Sequence, residues 1–306
     1  MSMPINRRRL LAISAAFALL PAARAAGLSG PSHVWTGHAM GARASIRIAH
    51  PDAEAIAARV MEEIDRLENI LSLYRADSAL SRLNREGQLA APPFELLECL
   101  SMAGAVNRAS GGRFDPTVQP LWTLWAEAAM AGTRPDAKAI AVALGRTGWD
   151  KVTLDTDAIT MRPGMALTLN GIGQGYVADR VAALLEAEGL SNILIDTGEF
   201  RALGGRPDGA DWPMQLDGGD KIGLRQRALA TSAPLGTTFD QAGSDGHILD
   251  PATGRPTAAP WRTISISAHS AAIADALTTA ACLLAEPAAI EAMLGNFEDA
   301  RLEVCA

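Results

Sequence analysis

Cysteine is scarce in this 306-residue chain, which has only Cys99, Cys282 and Cys305 and no Cys/His cluster with zinc-ligand spacing. A small, odd number of cysteines excludes a disulfide-built scaffold. Cys282 lies in an alanine- and leucine-rich stretch and is interpreted as a small core residue. The chain also lacks internal repeats, heptads, linkers and low-complexity tracts. Its patterns indicate an α+β protein without a clear internal domain boundary.

Basic residues are fewer than acidic ones: the chain has 27 Lys and Arg and 34 Asp and Glu, which gives a formal net charge of −7. Nucleic acids and anionic membrane surfaces attract basic proteins. Neither is expected as a partner of this chain.

The N-terminal apolar run, Leu10 to Leu20, is too short to cross a bilayer. It follows three consecutive arginines at 7–9 and precedes Ala23-Arg24-Ala25. This pattern predicts that residues 1–25 are a twin-arginine signal peptide, with an uncleaved anchor or a chance basic tail as the alternative. Residues 26–306 would then be a periplasmic domain of net charge −11, without a transmembrane segment. It would not be a lipoprotein, since no cysteine lies near the cleavage site.

Hydrophobic periodicity predicts the regular elements that follow. The predicted helices cover 52–71, 93–109, 136–146, 176–188, 270–285 and 287–295. The predicted strands cover 35–49, 151–154, 158–161, 166–170, 192–196, a run from 212 onwards, and 261–268. The segment FDPTVQPLWTLW carries two prolines and is predicted to be an irregular loop that leads into a helix.

The stretch LTLNGIGQGYVADR (167–180) places three glycines, Gly171, Gly173 and Gly175, at the predicted start of a helix. The G-x-G-x-G spacing differs from the dinucleotide fingerprint G-x-G-x-x-G, and no Gly-Lys-Ser/Thr of a phosphate loop follows. Successive small residues at a helix start can still present N–H groups to an anion. A tight turn without a ligand is the alternative.

The stretch ADALTT (274–279) puts an acid and two hydroxyls on an otherwise apolar segment. Asp275 and Thr279 are four residues apart, with Thr278 between them, so that they share a helix face. Oxygen ligands of this kind suit Mg²⁺, with phosphate oxygens completing the coordination. Helix capping by Asp275 is the alternative, and the sequence alone does not choose between them.

Taken in order, these pieces resemble the ApbE family of periplasmic FAD:protein FMN transferases over nearly the whole mature chain. The loop and the exported, non-lipidated form most resemble the NosX-type branch, whose members flavinylate the membrane protein NosR. The resemblance is carried by Met40-Gly41-Ala42, LSLYRADSALSRLN (71–84), SGGRFDPTVQPLWTLW (110–125), NGIGQGYVADR (170–180), LATSAP (229–234), HILDPATGRP (247–256) and ADALTTA (274–280).

The resemblance implies a single α+β, T-fold-like catalytic domain with antiparallel sheets, and an FAD site that acts with Mg²⁺. The implied flavin-site residues are Met40, Tyr74, Arg113, Phe114, Asp115, Thr168, Gln174 and Ile248. The implied metal-site residues are Gly171, through its carbonyl, Asp275, Thr278 and Thr279. His247 is the candidate general base, with Asp250-Pro251 shaping its turn, although a lone histidine is also often structural.

Three positions depart from the commoner family pattern. Thr168 stands where an aspartate is usual, Gln174 where Lys or Glu is usual, and Gly198-Glu199 replaces a Gly-Gly-Asp turn. The implied reaction is Mg²⁺-dependent transfer of FMN from FAD to a Thr or Ser of a partner protein, with release of AMP. A non-catalytic flavin carrier and an FAD pyrophosphatase are the alternatives.

Overall fold

The structure is a computed structural model that describes residues 24–25, 33–48, 50–217 and 219–306. The predicted signal peptide lies outside the described residues except for Arg24–Ala25. The predicted division at residue 25 therefore stays a prediction.

Eight α-helices form within the described residues. The predicted helices are present, mostly with slightly shorter ends, and Ala79–Glu86 is an addition to them. In chain order the helices are α1 Ala53–Leu71, α2 Ala79–Glu86, α3 Phe94–Ala109, α4 Gln119–Met130, α5 Ala137–Leu144, α6 Gly173–Ala187, α7 Ala271–Ala281 and α8 Pro287–Leu294.

Fifteen strands in the described ranges form four sheets, and all of their pairings are antiparallel. The largest sheet has seven strands in the order β15-β14-β11-β8-β7-β3-β2. The smaller sheets are β1-β9-β10, β4-β6-β5 and β12-β13. The prediction of an α+β fold with antiparallel sheets and packed helices is confirmed. The strands are β1 Arg24–Ala25, β2 His33–Ala39, β3 Ala42–Ile48, β4 Gln88–Ala90, β5 Val152–Leu154, β6 Ala158–Met161, β7 Ile193–Asp196, β8 Phe200–Leu203, β9 Trp212–Gln215, β10 Lys221–Leu224, β11 Ala228–Ser232, β12 Leu249–Asp250, β13 Arg255–Pro256, β14 Ile264–Ala268 and β15 Arg301–Cys305.

The two faces of the seven-stranded sheet are covered differently. Helices α1, α6 and α7 cover one face, and the predicted apolar stripe of α1 is buried there. On the other face, β9 and β10 cover β7, β8 and β11 through a cluster that includes Leu194, Phe200, Trp212 and Met214. The corresponding face of β3 carries Arg43, Ser45 and Arg47, which line a cavity instead. The arrangement of the layers thus leaves room for a ligand beside β3.

The predicted strand at 35–49 is a hairpin of two strands, β2 and β3. Its turn is Met40-Gly41, with φ of 52° and 82°, between the paired residues Ala39 and Ala42. Two successive residues of positive φ match the right-handed twist of the strands that they join. The Met40 N–H donates a 2.7 Å hydrogen bond to Glu68 Oε1 on α1, which holds the turn in place.

The predicted strand at 166–170 is wrong, because this segment is neither strand nor helix. The Asn84 side chain bonds both the N–H and the carbonyl of Leu167, and the Thr168 N–H donates to the Pro116 carbonyl. These bonds satisfy the backbone without a neighbouring strand. Helix α6 also starts earlier than predicted, at Gly173, inside the glycine loop.

The proline-containing segment after Phe114 is more regular than predicted. Pro116–Val118 is a 3₁₀ turn, and α4 begins immediately at Gln119. Pro120 lies in the first turn of α4, where a backbone N–H would have no acceptor within the helix, so the N–H that proline lacks is not needed. Among the described residues, none of the helices combines the length and apolar character that a bilayer crossing requires.

Candidate functional site: a cavity beside strand β3

A cavity of about 730 Å³ opens beside β3. This volume is within the range of small-molecule and cofactor sites. Its walls come from separate parts of the chain: β3, the turn 113–118, the loop 168–174, the turn 196–199, the end of β11, the segment 247–251 and helix α7.

The three glycines of the loop have different roles. A Cβ at Gly171 would lie 2.9 Å from Thr279 Oγ1 and 3.2 Å from Phe114, so only glycine lets the backbone pass between them at the cavity wall. A Cβ at Gly173 would lie 3.0 Å from Met40 Cε. A Cβ at Gly175 would lie 2.2 Å from the Ala271 carbonyl oxygen, so this glycine lets α6 and α7 pack closely. Of the three, Gly171 alone lines the cavity.

Asp275 and Thr279 both line the cavity from α7. The alternative that Asp275 caps this helix is wrong, because the N-cap is Ser270, whose hydroxyl accepts from the Ile273 N–H. Asp275 is one turn further on and 3 % exposed, and its carboxylate accepts one long hydrogen bond, 3.4 Å, from the Gly175 N–H. Burial raises the pKa of Asp275 to about 8.

Thr278 lies beneath the surface of the cavity and not at its lining. It is fully buried, and its hydroxyl donates to the Asp275 carbonyl at 2.8 Å. The same hydroxyl accepts a 2.8 Å hydrogen bond from Ser232 Oγ, and Ser232 does line the cavity. Thr278 therefore supports Ser232 and the α7 backbone.

The wall formed by Gly171, Asp275 and Thr279 fits a hard cation. A buried carboxylate whose single hydrogen bond is long has remaining capacity for a cation, and the Thr279 hydroxyl in the same wall is an oxygen donor of the kind Mg²⁺ takes. Within the described ranges, no three His, Cys, Asp or Glu side chains form a metal-holding group. A magnesium ion here would complete its coordination with water and phosphate oxygens, as it commonly does.

Two further carboxylates line the same cavity, Glu199 and Asp196, and neither was predicted as a site residue. Glu199 is 7 % exposed and accepts a 3.1 Å hydrogen bond from the Thr231 N–H. Burial, and then the nearby Asp275, raise the pKa of Glu199 well above its usual range. Burial also raises the pKa of Asp196, whose carboxylate accepts from the Gly198 N–H. The sequence signal for Glu199 was an acid directly after a glycine turn.

The predicted trio Arg113, Phe114 and Asp115 lines one side of the cavity. Arg113 lies 3.7 Å from Asp250, next to the turn that carries His247. The Asp115 carboxylate accepts from both the N–H and the hydroxyl of Thr117, at 2.8 and 2.6 Å. Burial raises the pKa of Asp115. This carboxylate caps the 3₁₀ turn and so holds in place the part of the cavity wall that carries Arg113 and Phe114.

Thr168, Gln174 and Ile248 also line the cavity, and their predicted contact with flavin stays a prediction. The Gln174 amide packs on Gly198, where a Cβ would lie 3.0 Å from three of its atoms and where φ is +102°. Met40 and Tyr74 are placed differently: neither lines this cavity. Met40 packs at the start of α6, and the Tyr74 ring lies against Gly41.

His247 lines the cavity just before β12. Its Nδ1 lies 3.1 Å from the Thr237 carbonyl, and the Pro234 carbonyl also accepts a hydrogen bond. Because burial outweighs these bonds, the pKa of His247 is lowered to about 4. A carbonyl only accepts, and a neutral imidazole has a single N–H, so a neutral His247 donates from one ring nitrogen and keeps a lone pair on the other. The ring is in the protonation state that a general base needs.

The described residues thus form an α+β fold with a cavity lined by buried carboxylates, hydroxyls and a histidine, as in a candidate enzyme. The profile of the ApbE family matches residues 40–303, and the chain belongs to this family. A curated FAD:protein FMN transferase of Vibrio cholerae is 30% identical over 285 residues, covering 85% of this chain and 81% of the relative.

Solved structures of the family share the fold. The apo flavinyl transferase ApbE of Pseudomonas stutzeri has a TM-score of 0.76 at 28% identity, covering 86% of this chain and 87% of that one. The ApbE protein of Thermotoga maritima has a TM-score of 0.77 at 26% identity, covering 85% and 89%. The predicted family is thus confirmed, while the roles of individual residues and the NosX-type branch stay predictions.

Proposed function

We propose that this chain is a Mg²⁺-dependent FAD:protein FMN transferase. It moves FMN from FAD to a Thr or Ser of an acceptor protein through a phosphoester bond and releases AMP. The observation that carries this proposal is the convergence of Gly171, Asp275, Thr279 and His247 on one cavity large enough for a cofactor. The curated relatives named FAD:protein FMN transferase support the same reaction.

The residues of the cavity divide the work between binding and proton transfer. The Gly171 backbone admits the FAD pyrophosphate next to Asp275 and Thr279, while Phe114 and Ile248 give apolar surface on the walls. Magnesium, when bound by Asp275 and Thr279, offsets the charge on the phosphoryl oxygens. Positioning and electrostatics supply most of the rate in such reactions.

The transfer step uses His247 as the base. The acceptor hydroxyl oxygen bonds to the FMN phosphorus while its proton passes to the neutral ring of His247. The bond between that phosphorus and the bridging oxygen of the pyrophosphate breaks, and AMP leaves with that oxygen. Water in place of the acceptor hydroxyl gives hydrolysis to FMN and AMP.

The test is to incubate the purified protein with FAD, Mg²⁺ and a peptide that carries the family's acceptor sequence. A UV-fluorescent peptide, one AMP per flavin attached, and loss of both in EDTA are expected. AMP release that is independent of acceptor would identify a pyrophosphatase. Tight flavin binding without AMP would identify a carrier, and would contradict the proposal.

We also propose that the protein works in the periplasm after export by a twin-arginine signal, and that its acceptor is a NosR-like membrane protein. The arginines at 7–9 and Ala23-Arg24-Ala25 support export. Replacing Arg7 and Arg8 by lysine should retain the protein in the cytoplasm. An N-terminus at Ala26 in the periplasmic fraction is the expected result, and cytoplasmic wild-type protein would contradict it. Flavinylation of a co-expressed NosR-like protein tests the acceptor.

A further inference from the structure

Strand β3 presents a row of three polar side chains to the cavity. Arg43, Ser45 and Arg47 alternate with the buried Ala44 and Ile46, so that all three lie on the same side of the sheet. We call these three residues the arginine face. None of them belongs to the sets predicted to bind flavin or metal.

The arginine face continues onto the end strand of the sheet, β2. His38, Thr36 and Val34 pair with Arg43, Ser45 and Arg47, and residues directly opposite on paired strands share a face. All three β2 residues are exposed, and Val34 is 48% exposed. The surface beside the cavity therefore extends beyond it and has room for a polypeptide segment.

The positive charge of this face is only partly compensated. Arg43 is exposed and makes no hydrogen bond or ion pair with any residue that the structure describes. Arg47 is half-buried, and its positive charge lowers the pKa of Asp196. Burial has the larger effect, so the pKa of Asp196 is raised overall. Arg113, by contrast, has a carboxylate partner in Asp250. In a chain of net charge −7, the Arg43 guanidinium is a local site for an anion.

We infer that the arginine face docks an acidic segment of the acceptor protein next to its target Thr or Ser, an inference that rests on the proposed transferase function. Arginine pairs with carboxylates through two parallel hydrogen bonds. The Arg43 guanidinium attracts such a segment to β3, at the edge of the cavity. The charge arrangement orients the acceptor, with its acidic residues on β3 and its hydroxyl towards the cavity.

The FAD phosphates are the other anions that could reach these arginines. The Gly171, Asp275 and Thr279 wall already suits the pyrophosphate, and a dinucleotide inside the cavity has no use for the exposed surface of β2. These two facts favour a protein segment over the cofactor.

The experiment compares Arg43→Glu with wild type on two peptides that share one Thr, one flanked by Asp and the other by Lys. KM for the Asp peptide should rise about tenfold or more in the variant, and KM for the Lys peptide should fall, while Kd for FAD stays within about twofold of wild type. Arg43→Lys should retain most of the preference. Arg82→Glu is the matched control, because Arg82 is exposed on α2 and outside the cavity.

Binding of the same peptides, labelled with a fluorophore, is measured in parallel by anisotropy, so that docking is read without turnover. The inference is overturned if both peptides change equally, if Arg82→Glu gives the same effect, or if Arg43→Glu weakens FAD binding. Failure of wild type to modify any peptide would contradict the transferase proposal. A selective loss of Asp-peptide binding would then still report the docking surface.

Discussion

At the scale of single residues, burial of the Asp275 carboxylate lowers the stability of the folded protein, and binding of a cation would offset this loss. Burial of a carboxylate with one 3.4 Å hydrogen bond is unfavourable, as its raised pKa reflects. Asp275→Asn should therefore lower FMN transfer on the order of 100-fold or more while the melting temperature of the metal-free protein stays equal or rises.

The measurements are initial rates in excess Mg²⁺ and thermal unfolding in EDTA. Asp77→Asn is the matched control, since Asp77 is exposed and lies outside the cavity. Full activity of Asp275→Asn would exclude Asp275 as a metal ligand.

His247 determines the expected pH dependence. Its pKa, lowered by burial to about 4, keeps the ring neutral at physiological pH. We expect the ionisation of His247 to have no effect on kcat/KM above about pH 5 to 6. Below that range kcat/KM should fall as the pH approaches about 4. His247→Gln should lower kcat about 100-fold or more with little change in FAD binding. An acid limb near the ordinary histidine pKa of about 6.5 would contradict this.

The lowered pKa of His247 also makes the stability of the folded protein depend on pH. The folded protein holds fewer protons than the unfolded chain between about pH 4 and about 6.5, because the folded pKa is the lower one. The contribution of His247 to stability is therefore complete above about pH 6.5 and is lost as pH falls through about 4. His269→Gln, at an exposed position outside the cavity, is the control for both experiments.

At the scale of elements, the site depends on the close approach of α6 and α7. Gly175→Ala would place a methyl group 2.2 Å from the Ala271 carbonyl oxygen, so the helices must separate. We expect a loss of about 1–3 kcal/mol in the free energy of unfolding and a lower transfer rate, because the Gly175 N–H also bonds Asp275.

Denaturant unfolding measures this loss. Gly295→Ala is the matched control, since its φ is −57° and the nearest atom to a new Cβ is 3.5 Å away. Equal stability of the two variants would show that the helix contact can relax.

At the scale of the whole molecule, ligand binding should stabilise the fold, because the cavity walls come from distant parts of the chain. A ligand present at about 100 times its Kd adds about 2.7 kcal/mol to the free energy of unfolding. FAD with Mg²⁺ should raise the melting temperature by more than FAD with EDTA, and Asp275→Asn should remove that difference. The proposed metal site is contradicted if Mg²⁺ adds nothing in wild type.

Local patterns predicted most of the elements. The stripe of α1 repeats every three to four residues, and such periodicity determines both the helix and its buried face. The strand predicted at 166–170 was wrong, because the apolar character of a short segment carries no information about its hydrogen-bond partners. Here the Asn84 side chain and the Pro116 carbonyl, both distant in the chain, satisfy the backbone.

The residues of the site were also predicted only in part. Gly171, Asp275, Thr279 and His247 were nominated from their motifs, and the structure brings them to one cavity. Glu199 and Arg43 were missed, because an acid after a glycine turn and an arginine in an alternating strand are common local patterns that do not by themselves indicate a site. Glu199 is of interest because it is buried beside Asp275, and Arg43 because none of the described strands or helices covers the cavity side of β3.

The sequence by itself determined the family, the α+β class, the approximate helices, and the residue types available for chemistry, because motif order and hydrophobic periodicity are local properties. Only the tertiary structure decided that Gly175 serves helix packing while Gly171 faces the cavity, and that Ser270 caps α7 so that Asp275 can lie buried within it. Those outcomes depend on which atoms approach one another across the fold, and a linear pattern does not specify such distances.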